Sequence, residues 1–167
     1  QVNERNPIWR DLPALNTYIG RCQSVLQAGA PDNDVLLYWP LADTLMTEPG
    51  RKVTFHIDGD RWSAGPALRA SAEELWDHGF LFDYVSDRQL QSCNIVEGAA
   101  ETVGGNTYRA VVVPTCRFMP ETTAQALADL AEQGVPVLYS GESAQEWDVP
   151  GFADLDKRRT ALNEAVA

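Results

Sequence analysis

The stretch "DVLLYW", residues 34–39, decides the fold. It is an almost continuous apolar run of strand length, without the apolar–polar alternation of a half-exposed strand. Such a run is typical of a strand buried on both faces, as in a parallel sheet covered by helices. Three later segments are also typical of strands: "FLFDYVS" (80–86), "RAVVVP" (109–114) and "VPVLYS" (135–140).

Helical patterns alternate with these strands. Each has apolar residues three or four positions apart, which is the spacing of one helix face. Proline at the first turn and glycine after the last turn mark several of the ends. "SDRQ", residues 86–89, has the spacing of a capping box and predicts a short helix, while "ETVGGNTY", residues 101–108, predicts a turn or small hairpin. The longer helices are predicted over 12–28 (apolar face Leu12, Leu15, Ile19, Cys22, Leu26), 66–79 (Leu68, Ala72, Leu75, Trp76), 120–134 (Ala124, Leu127, Leu130) and 154–166.

Strands that alternate with helices at this spacing predict βαβ crossovers and a parallel sheet with helices on both sides. We therefore expect a three-layer α/β fold of the Rossmann-like or flavodoxin-like kind, in a single domain over residues 1–167. It comprises a leading helix (1–30), a βα core (34–140) with a long connection (41–65), and a C-terminal helix (152–167). Because the sequence opens without Met or a signal peptide, we expect it to be excised from a longer chain.

The composition is that of an ordinary globular protein, but the net charge is −11. Nucleic-acid binding requires clustered Lys and Arg, so the sequence predicts no nucleic-acid partner. No apolar run approaches the roughly 20 residues that span a bilayer, so no membrane partner is predicted. The three cysteines lack CxxC spacing and there are only two histidines, so neither a disulfide framework nor a metal site is expected.

Ligands of open parallel sheets bind beyond the carboxyl ends of the strands. A dinucleotide fingerprint there would need GxGxxG after the first strand, where this chain has "YWPLAD". A P-loop and a Ser/Thr/Gly-rich phosphate loop are also missing. We therefore expect no nucleotide and no other cofactor.

Cys116 follows the third of these strands, in "PTCRFMP", and is a candidate nucleophile. A nucleophile elbow carries small residues two positions before and after the nucleophile, where this chain has Pro114 and Phe118. A thiol also needs a base such as His, and no His follows residue 78. A half-buried thiol at a strand end is the favoured interpretation.

"FHIDGDRW", residues 55–62, lies in the long connection and gathers polar and aromatic side chains. Its two aspartates are separated by one glycine, and no acid recurs until Glu73, which fails the pattern of a calcium loop. A pair of carboxylates two positions apart does not establish the machinery of a glycosidase. Asp–Gly–Asp is common turn chemistry, so a turn is the favoured interpretation from spacing alone.

Several segments together resemble one region of a known enzyme family. They include "YIGRCQSVLQAG" (18–29), "DVLLYWP" (34–40), "FHIDGDRW" (55–62) and "FDYVSDRQL" (82–90). In this order they are similar to glycoside hydrolase family 106, the α-L-rhamnosidases, and to related large bacterial glycosidases. The resemblance covers nearly the whole chain, but it consists of segment likenesses and contains no catalytic signature.

The resemblance implies that catalysis belongs to a (β/α)-barrel with acidic residues, and that a Rossmann-like domain follows it. This chain resembles that following domain, with a class I amidotransferase-like fold that lacks the triad. No catalytic residue is carried over. The implied function is a non-catalytic accessory domain whose partner is the catalytic domain of the same polypeptide. The sequence itself indicates no compartment, and the implied parent is a periplasmic or secreted bacterial enzyme.

The resemblance also implies a role for the 41–65 connection, since loops of that length in compact domains are usually functional or disordered. We expect it to pack against the barrel or to reach the rim of a sugar cleft. The residues expected to contact sugar or the neighbouring domain are Trp39, His56, Asp58, Asp60 and Trp62.

Two other functions stay open, namely an amidotransferase-like hydrolase that uses Cys116 and a small-ligand module. Removal of the chain from its neighbour also predicts an exposed apolar patch. We expect Trp9, Trp39, Trp62 or Trp147 to contribute to it.

Overall fold

The computed structural model describes residues 3–47, 65–141 and 147–167, and for residues 65 and 66 the backbone alone. Its contacts cluster into two units, Gln1–Asp32 and Asn33–Ala167. The expectation of one domain over residues 1–167 stays a prediction. No helix in the described part of the chain is long and apolar enough to cross a membrane.

The first unit contains a 3-10 helix, Pro7–Arg10, followed by helix α1, Leu12–Leu26. Asn6 begins the 3-10 helix, because its side-chain oxygen accepts a hydrogen bond from the Ile8 N–H at 3.1 Å. Helix α1 follows the predicted apolar spacing, yet none of its residues is buried. Leu15 and Ile19 on its apolar face are each more than 40% exposed.

The second unit holds the α/β fold. Its elements in chain order are β1 (Val35–Tyr38), α2 (Leu41–Thr47), α3 (Gly65–Asp77), β2 (Phe82–Val85), α4 (Asp87–Leu90), β3 (Asn94–Val96), β4 (Ala99–Glu101), β5 (Thr107–Tyr108), β6 (Ala110–Pro114), α5 (Glu121–Glu132), β7 (Val137–Ser140) and α6 (Leu155–Val166).

Four of the strands form a parallel sheet in the spatial order β2-β1-β6-β7. If these four parallel strands are numbered 1 to 4 in chain order, their spatial order is 2-1-3-4. This is the order of the first four strands of a flavodoxin-like sheet. All four residues of β1 are buried, as the run "DVLLYW" predicts, because β1 is an inner strand with side chains packed on both faces. The predicted α/β fold with a parallel sheet is confirmed.

The two faces of the sheet bury different clusters. On one face, Val35 and Leu37 of β1 pack with Leu68 of α3 and Val112 of β6. On the other face, Leu36 and Tyr38 belong to a larger cluster that includes residues of α4, α5 and α6. Because neighbouring residues of a strand point to opposite faces, β1 contributes to both clusters and the fold has three layers. The larger cluster contains Leu90, Ala124, Leu127, Leu130 and Leu162.

A second sheet lies between β2 and β6 in the chain. It is antiparallel, with the order β3-β4-β5. The predicted hairpin is its β4–β5 pair, where Gly105 adopts a φ of +83° in the turn. The sheet adjoins the main fold through Tyr108, whose hydroxyl donates to Asp83 Oδ2 at 2.8 Å.

Three sequence expectations need correction. The 41–65 connection, which was expected to be a long loop, begins with helix α2 directly after Pro40. Trp76 lies on α3 but is 69% exposed, so it does not share the buried face of Leu68. Pro120 is the N-cap of α5 and precedes its first helical residue.

Candidate functional site

The first candidate site is the carboxyl edge of the parallel sheet. The connection after β1 leads to α3 on one face of the sheet, and the connection after β6 leads to α5 on the other. Such a reversal between neighbouring strands opens a crevice at their carboxyl ends, which is where α/β proteins bind ligands. Here the crevice is bounded by Trp39 and Pro40 after β1 and by Thr115 and Cys116 after β6.

Asp87 occupies this edge from the first turn of α4. The buried hydroxyl of Tyr38, at the end of β1, donates to Asp87 Oδ1 at 2.7 Å. The hydroxyl of Thr123, in the first turn of α5, donates to the same oxygen at 2.7 Å. One carboxylate oxygen therefore joins the sheet to two helices. Burial, followed by this hydrogen bond to a carboxylate, raises the pKa of Tyr38 far above its usual value, so its phenol stays protonated.

Helix α4 is held at this edge by its own cap. Ser86 is the N-cap, and its backbone N–H donates to Gln89 Oε1 at 3.1 Å, which confirms the predicted capping box. The cap fixes the turn that carries Asp87 directly after the end of β2. The position of Asp87 is thus set by four residues of local sequence.

Asp43 fills the next part of the edge. It lies in the first turn of α2, and its Oδ1 accepts the backbone N–H groups of Arg117 at 2.7 Å and Phe118 at 2.9 Å. Two backbone donors that a ligand phosphate or oxyanion would otherwise meet are therefore bound to a side chain of the same unit.

Cys116 follows β6 at the same edge and is partly buried. Burial, followed by the negative charges of Asp43 and Asp87, raises the pKa of the thiol to about 12. The reactive form of cysteine is the thiolate, so this environment opposes nucleophilic catalysis at neutral pH. Cys116 packs on the α5 face, whereas His78, the described histidine, follows α3 on the opposite face. The half-buried thiol favoured from the sequence agrees with this geometry.

Trp39 is the described member of the predicted contact residues, and it is half-buried at the end of β1. Its ring lies 6.1 Å from that of Tyr84, at a tilt of 57°. Tyr84 in turn meets Phe82 edge-on at 5.5 Å. The three rings form an aromatic group on the α3 face beside the crevice, with Tyr84 about half exposed. The predicted residues His56, Asp58, Asp60 and Trp62 lie outside the described residues, so their contact role stays a prediction.

The other predicted exposed tryptophans differ from one another. Trp9, in the first unit, is exposed. Trp147 packs against the larger core cluster, with its ring 5.6 Å from that of Tyr139. Trp147 therefore contributes less to an apolar surface than expected. Trp76, which the sequence places on the apolar face of its helix, is 69% exposed, and Phe152 is 89% exposed.

The second candidate site is a cleft between α3 and β7. Its volume is about 520 Å³, and it is open to solvent on one side. Its apolar part consists of Leu75, Phe80, Val112 and Leu138. The volume and the mixed lining fall in the range of small-ligand pockets.

Polar groups line the same cleft. The buried Ser71 of α3 and Ser140 of β7 place their hydroxyl oxygens 2.8 Å apart across it. Near its mouth lies Glu74, and the Nδ1 atom of His78 donates to the Glu74 carbonyl oxygen at 2.8 Å. Since a carbonyl only accepts, this bond places the proton on Nδ1 and leaves Nε2 of neutral His78 as an acceptor.

Gly141 lines this cleft and packs against Thr115. The Thr115 hydroxyl donates to the Ser140 carbonyl oxygen. Gly141 has a φ of +116°, and a Cβ at this position would overlap the Thr115 side chain. Only glycine fits there without a rearrangement.

Sequence reasoning missed both carboxylates and the cleft. A signal for Asp87 existed, because "SDRQ" follows a strand and falls at the ligand edge of the sheet. Asp43 had no such signal, since its partners lie 74 and 75 residues away. The Ser71–Ser140 pair joins residues 69 apart and left no local pattern either. Among the described residues, no group of three or more His, Cys, Asp or Glu side chains is arranged to hold a metal ion.

Comparison with known protein families gives no match. Comparison with curated proteins gives none either. Among solved structures, the chain is similar to the crystal structure of a β-galactosidase from Bifidobacterium adolescentis, with a TM-score of 0.39 and 18% sequence identity. The match covers 64% of this chain and 39% of that one. A β-galactosidase is a glycoside hydrolase, and at this TM-score the similarity carries no argument.

Proposed function

We propose that the chain is a non-catalytic accessory domain of a glycoside hydrolase, of the α-L-rhamnosidase-like kind, and that it supports a catalytic barrel in the same polypeptide. One observation carries the proposal. The edge of the sheet where α/β proteins bind ligands is occupied by internal hydrogen bonds of Asp43 and Asp87. The thiol beside them is held protonated by burial and by negative charge.

Exposed apolar side chains support the second half of the proposal. Three large apolar residues between positions 76 and 84, outside the lining of the cleft, are each about half exposed or more. Exposed apolar side chains of this size are more typical of a protein–protein or interdomain contact than of a solvated face. The residues are Trp76, Leu81 and Tyr84.

The role in sugar recognition belongs to the same proposal. Trp39 stands at the carboxyl edge beside Tyr84, and the 41–65 connection begins directly after Pro40. We infer that this connection forms part of the wall of the sugar cleft of the barrel. Aromatic rings and carboxylates are suited to sugars, which have apolar faces and many hydroxyl groups.

The proposal is tested by separating the chain from its neighbour. The 167-residue protein alone is assayed on 4-nitrophenyl α-L-rhamnoside, 4-nitrophenyl β-D-galactoside and an aryl amide, and we expect no turnover. The sequence encoded upstream is expected to contain a barrel with paired acids. Turnover by the isolated chain that Cys116→Ala abolishes would favour the hydrolase alternative instead.

Hydrogen exchange then maps the contact. Amide exchange is measured on the isolated chain and on the full polypeptide, and residues 76–84 are expected to be protected in the full polypeptide alone. The exposed turn at Val103 and Gly104, on the β4–β5 hairpin, serves as the internal control. Equal exchange of residues 76–84 in both proteins would contradict an interdomain role for this surface.

A further inference from the structure

The cleft between α3 and β7 differs from the carboxyl edge of the sheet in one chemical respect. At the edge, the carboxylates already accept hydrogen bonds from the protein. In the cleft, hydrogen-bonding capacity is left over. The Ser71–Ser140 pair uses one hydroxyl proton for its mutual bond, and the Ser140 hydroxyl donates to the Val113 carbonyl oxygen at 3.4 Å, but the two oxygens keep lone pairs that can accept. His78 Nε2 is a second available acceptor, and the exposed Glu74 carboxylate is a third.

The apolar part of the cleft lies beside these groups. Leu75 and Val112 belong to the core cluster on the α3 face or pack against it. Leu138 and the Phe80 ring are about half exposed at the opening. A bound molecule would therefore meet an apolar floor and one aromatic ring, with acceptors and hydroxyls at the rim.

Charge narrows the class of ligand. None of the described residues that line the cleft is Lys or Arg, and Glu74 contributes a negative charge. The whole chain also carries a net charge of −11. Phosphorylated and carboxylated ligands need cationic or N–H donor partners, so they are disfavoured. The available acceptors instead suit a neutral molecule that supplies many O–H donors.

We propose that this cleft binds a neutral carbohydrate, one or two sugar units in size. The sugar places an apolar C–H face against Phe80 and Leu138, and its hydroxyls donate to Glu74, to His78 and to the oxygens of the serine pair. The volume of about 520 Å³ falls within the range of small-ligand pockets and accommodates such a ligand. This inference extends the proposed function and depends on it only for the choice of sugars to be tested. The site itself is formed by α3 and β7 and does not include the 41–65 connection.

Isothermal titration calorimetry on the 167-residue protein tests the proposal with L-rhamnose, D-galactose and their methyl glycosides. We expect saturable binding of at least one sugar, with a Kd on the order of 1 mM, as suits an open site with few polar contacts. Glu74→Gln is expected to weaken binding about tenfold, which corresponds to the loss of one hydrogen bond to a charged acceptor. Phe80→Ala is expected to weaken it to a similar degree by removing the ring.

Matched controls come from outside the cleft. Glu73→Gln changes the neighbouring acid on α3, and Phe152→Ala removes a phenylalanine ring that is even more exposed, at 89% against 49% for Phe80, and lies outside the cleft. Both are expected to bind sugar as the unaltered protein does. Unfolding temperatures and far-UV circular dichroism verify that every variant is folded. We expect all of them to fold, because the altered side chains are on the surface.

Three results would overturn the proposal. The first is no saturable heat with any of these sugars up to about 50 mM, a concentration at which a millimolar site would be full. The second is that the control variants weaken sugar binding as much as the cleft variants do. The third is that a Lys-rich helical peptide binds the cleft and is not displaced by sugars. A separate outcome marks failure of the proposed function: hydrolysis of an aryl glycoside by the chain itself. Sugar binding without turnover supports both proposals, and absence of both sugar binding and turnover rejects the cleft alone.

Discussion

The hydrogen bonds of Asp87 should be a measurable source of stability, because they join β1, α4 and α5 at one oxygen atom. We consider Tyr38→Phe and Thr123→Val, which remove one hydroxyl each and keep the shape of the side chain. Both parent residues are fully buried. Each change deletes a hydrogen bond of 2.7 Å to Asp87 Oδ1 without opening a large cavity.

The magnitude follows from the charge and exposure of the acceptor. A hydrogen bond to a charged group contributes about 1.5–3 kcal/mol to the free energy of unfolding. Asp87 is partly exposed, so water can replace some of the lost contact and the lower end applies. We expect a loss of about 1.5 kcal/mol for each single variant, or a fall in Tm of roughly 3–6 °C for a chain of this size.

The double variant tests whether the two bonds form one network. After one donor is lost, the other still donates a hydrogen bond to Oδ1, whereas loss of both leaves this oxygen to be hydrated by water alone. We therefore expect Tyr38→Phe/Thr123→Val to lose more than the sum of the single losses, by about 0.5 kcal/mol. Tyr108→Phe is the control, because its hydroxyl donates to a different carboxylate, that of Asp83, at 2.8 Å. Its loss should add to that of Thr123→Val.

Urea denaturation at pH 7 gives these free energies, provided that the m-values of the variants agree. A loss below about 0.5 kcal/mol for Tyr38→Phe would refute the reasoning, since this is the range of unimportant surface changes. Strict additivity of the double variant would show that the two donors do not share one acceptor in solution.

Alkaline pH gives an independent check on Tyr38. Its pKa is raised in the folded state from the usual value of 10.0, so the folded protein keeps a proton that the unfolded chain releases above about pH 10. The stabilisation is fully present below pH 10 and is lost as the pH rises, by about 1.4 kcal/mol per pH unit for one such group. The slope of unfolding free energy against pH should be smaller by that amount in Tyr38→Phe. An unchanged slope would contradict the protonated, buried phenol.

Four further predictions concern other contacts. Arg158→Gln, which breaks a bidentate contact with Glu121 at 2.7 and 2.8 Å, should lower the free energy of unfolding by about 1–2 kcal/mol in urea denaturation. Gly141→Ala should lower it by about 1–3 kcal/mol, whereas a neutral result would mean that the turn adjusts freely. Cys116 should react with Ellman's reagent far more slowly at pH 8 in the folded protein than in urea, because its pKa of about 12 leaves almost no thiolate. The hydrogen bond from Arg159 lowers the pKa of Asp148 to about 2. Asp148 therefore contributes to the free energy of unfolding above pH 3.8, and this contribution is lost as the pH falls towards 2. Asp148→Asn should flatten the dependence of the free energy of unfolding on pH in that range.

The sequence predicts those parts of the fold in which local pattern and burial agree. "DVLLYW" forms an inner strand because the apolar run after Asp34 can be buried on both faces only between two helical layers. Helix α5 buries Ala124, Leu127 and Leu130 as their spacing predicts. Helix α2 was missed because it has only seven residues, too few for a repeated apolar spacing to distinguish a helix from a loop.

The candidate sites were less predictable, because their parts are distant in the chain. Asp43 binds backbone groups at positions 117 and 118, and Ser71 meets Ser140 across the cleft. Nothing in the neighbouring sequence distinguishes this aspartate or these serines from ordinary surface residues. Their pairing depends on the strand order, which brings β1, β6 and β7 side by side and α3 onto one face.

The chemistry of the two sites separates a structural role from a binding role. A carboxylate that already accepts two short hydrogen bonds from its own protein loses them if a ligand takes their place, so a ligand at the carboxyl edge would gain little. Asp87 is in this position. The acceptors of the α3–β7 cleft give up only hydrogen bonds to water when sugar hydroxyls bind them, and no hydrogen bond within the protein is broken. The same fold can therefore use the carboxyl edge of its sheet for stability and the α3–β7 cleft for recognition. Variants of the residues that donate to Asp87 test the first role, and variants of Glu74 test the second. Tyr38→Phe should change the free energy of unfolding and leave sugar affinity unaltered, whereas Glu74→Gln should do the reverse.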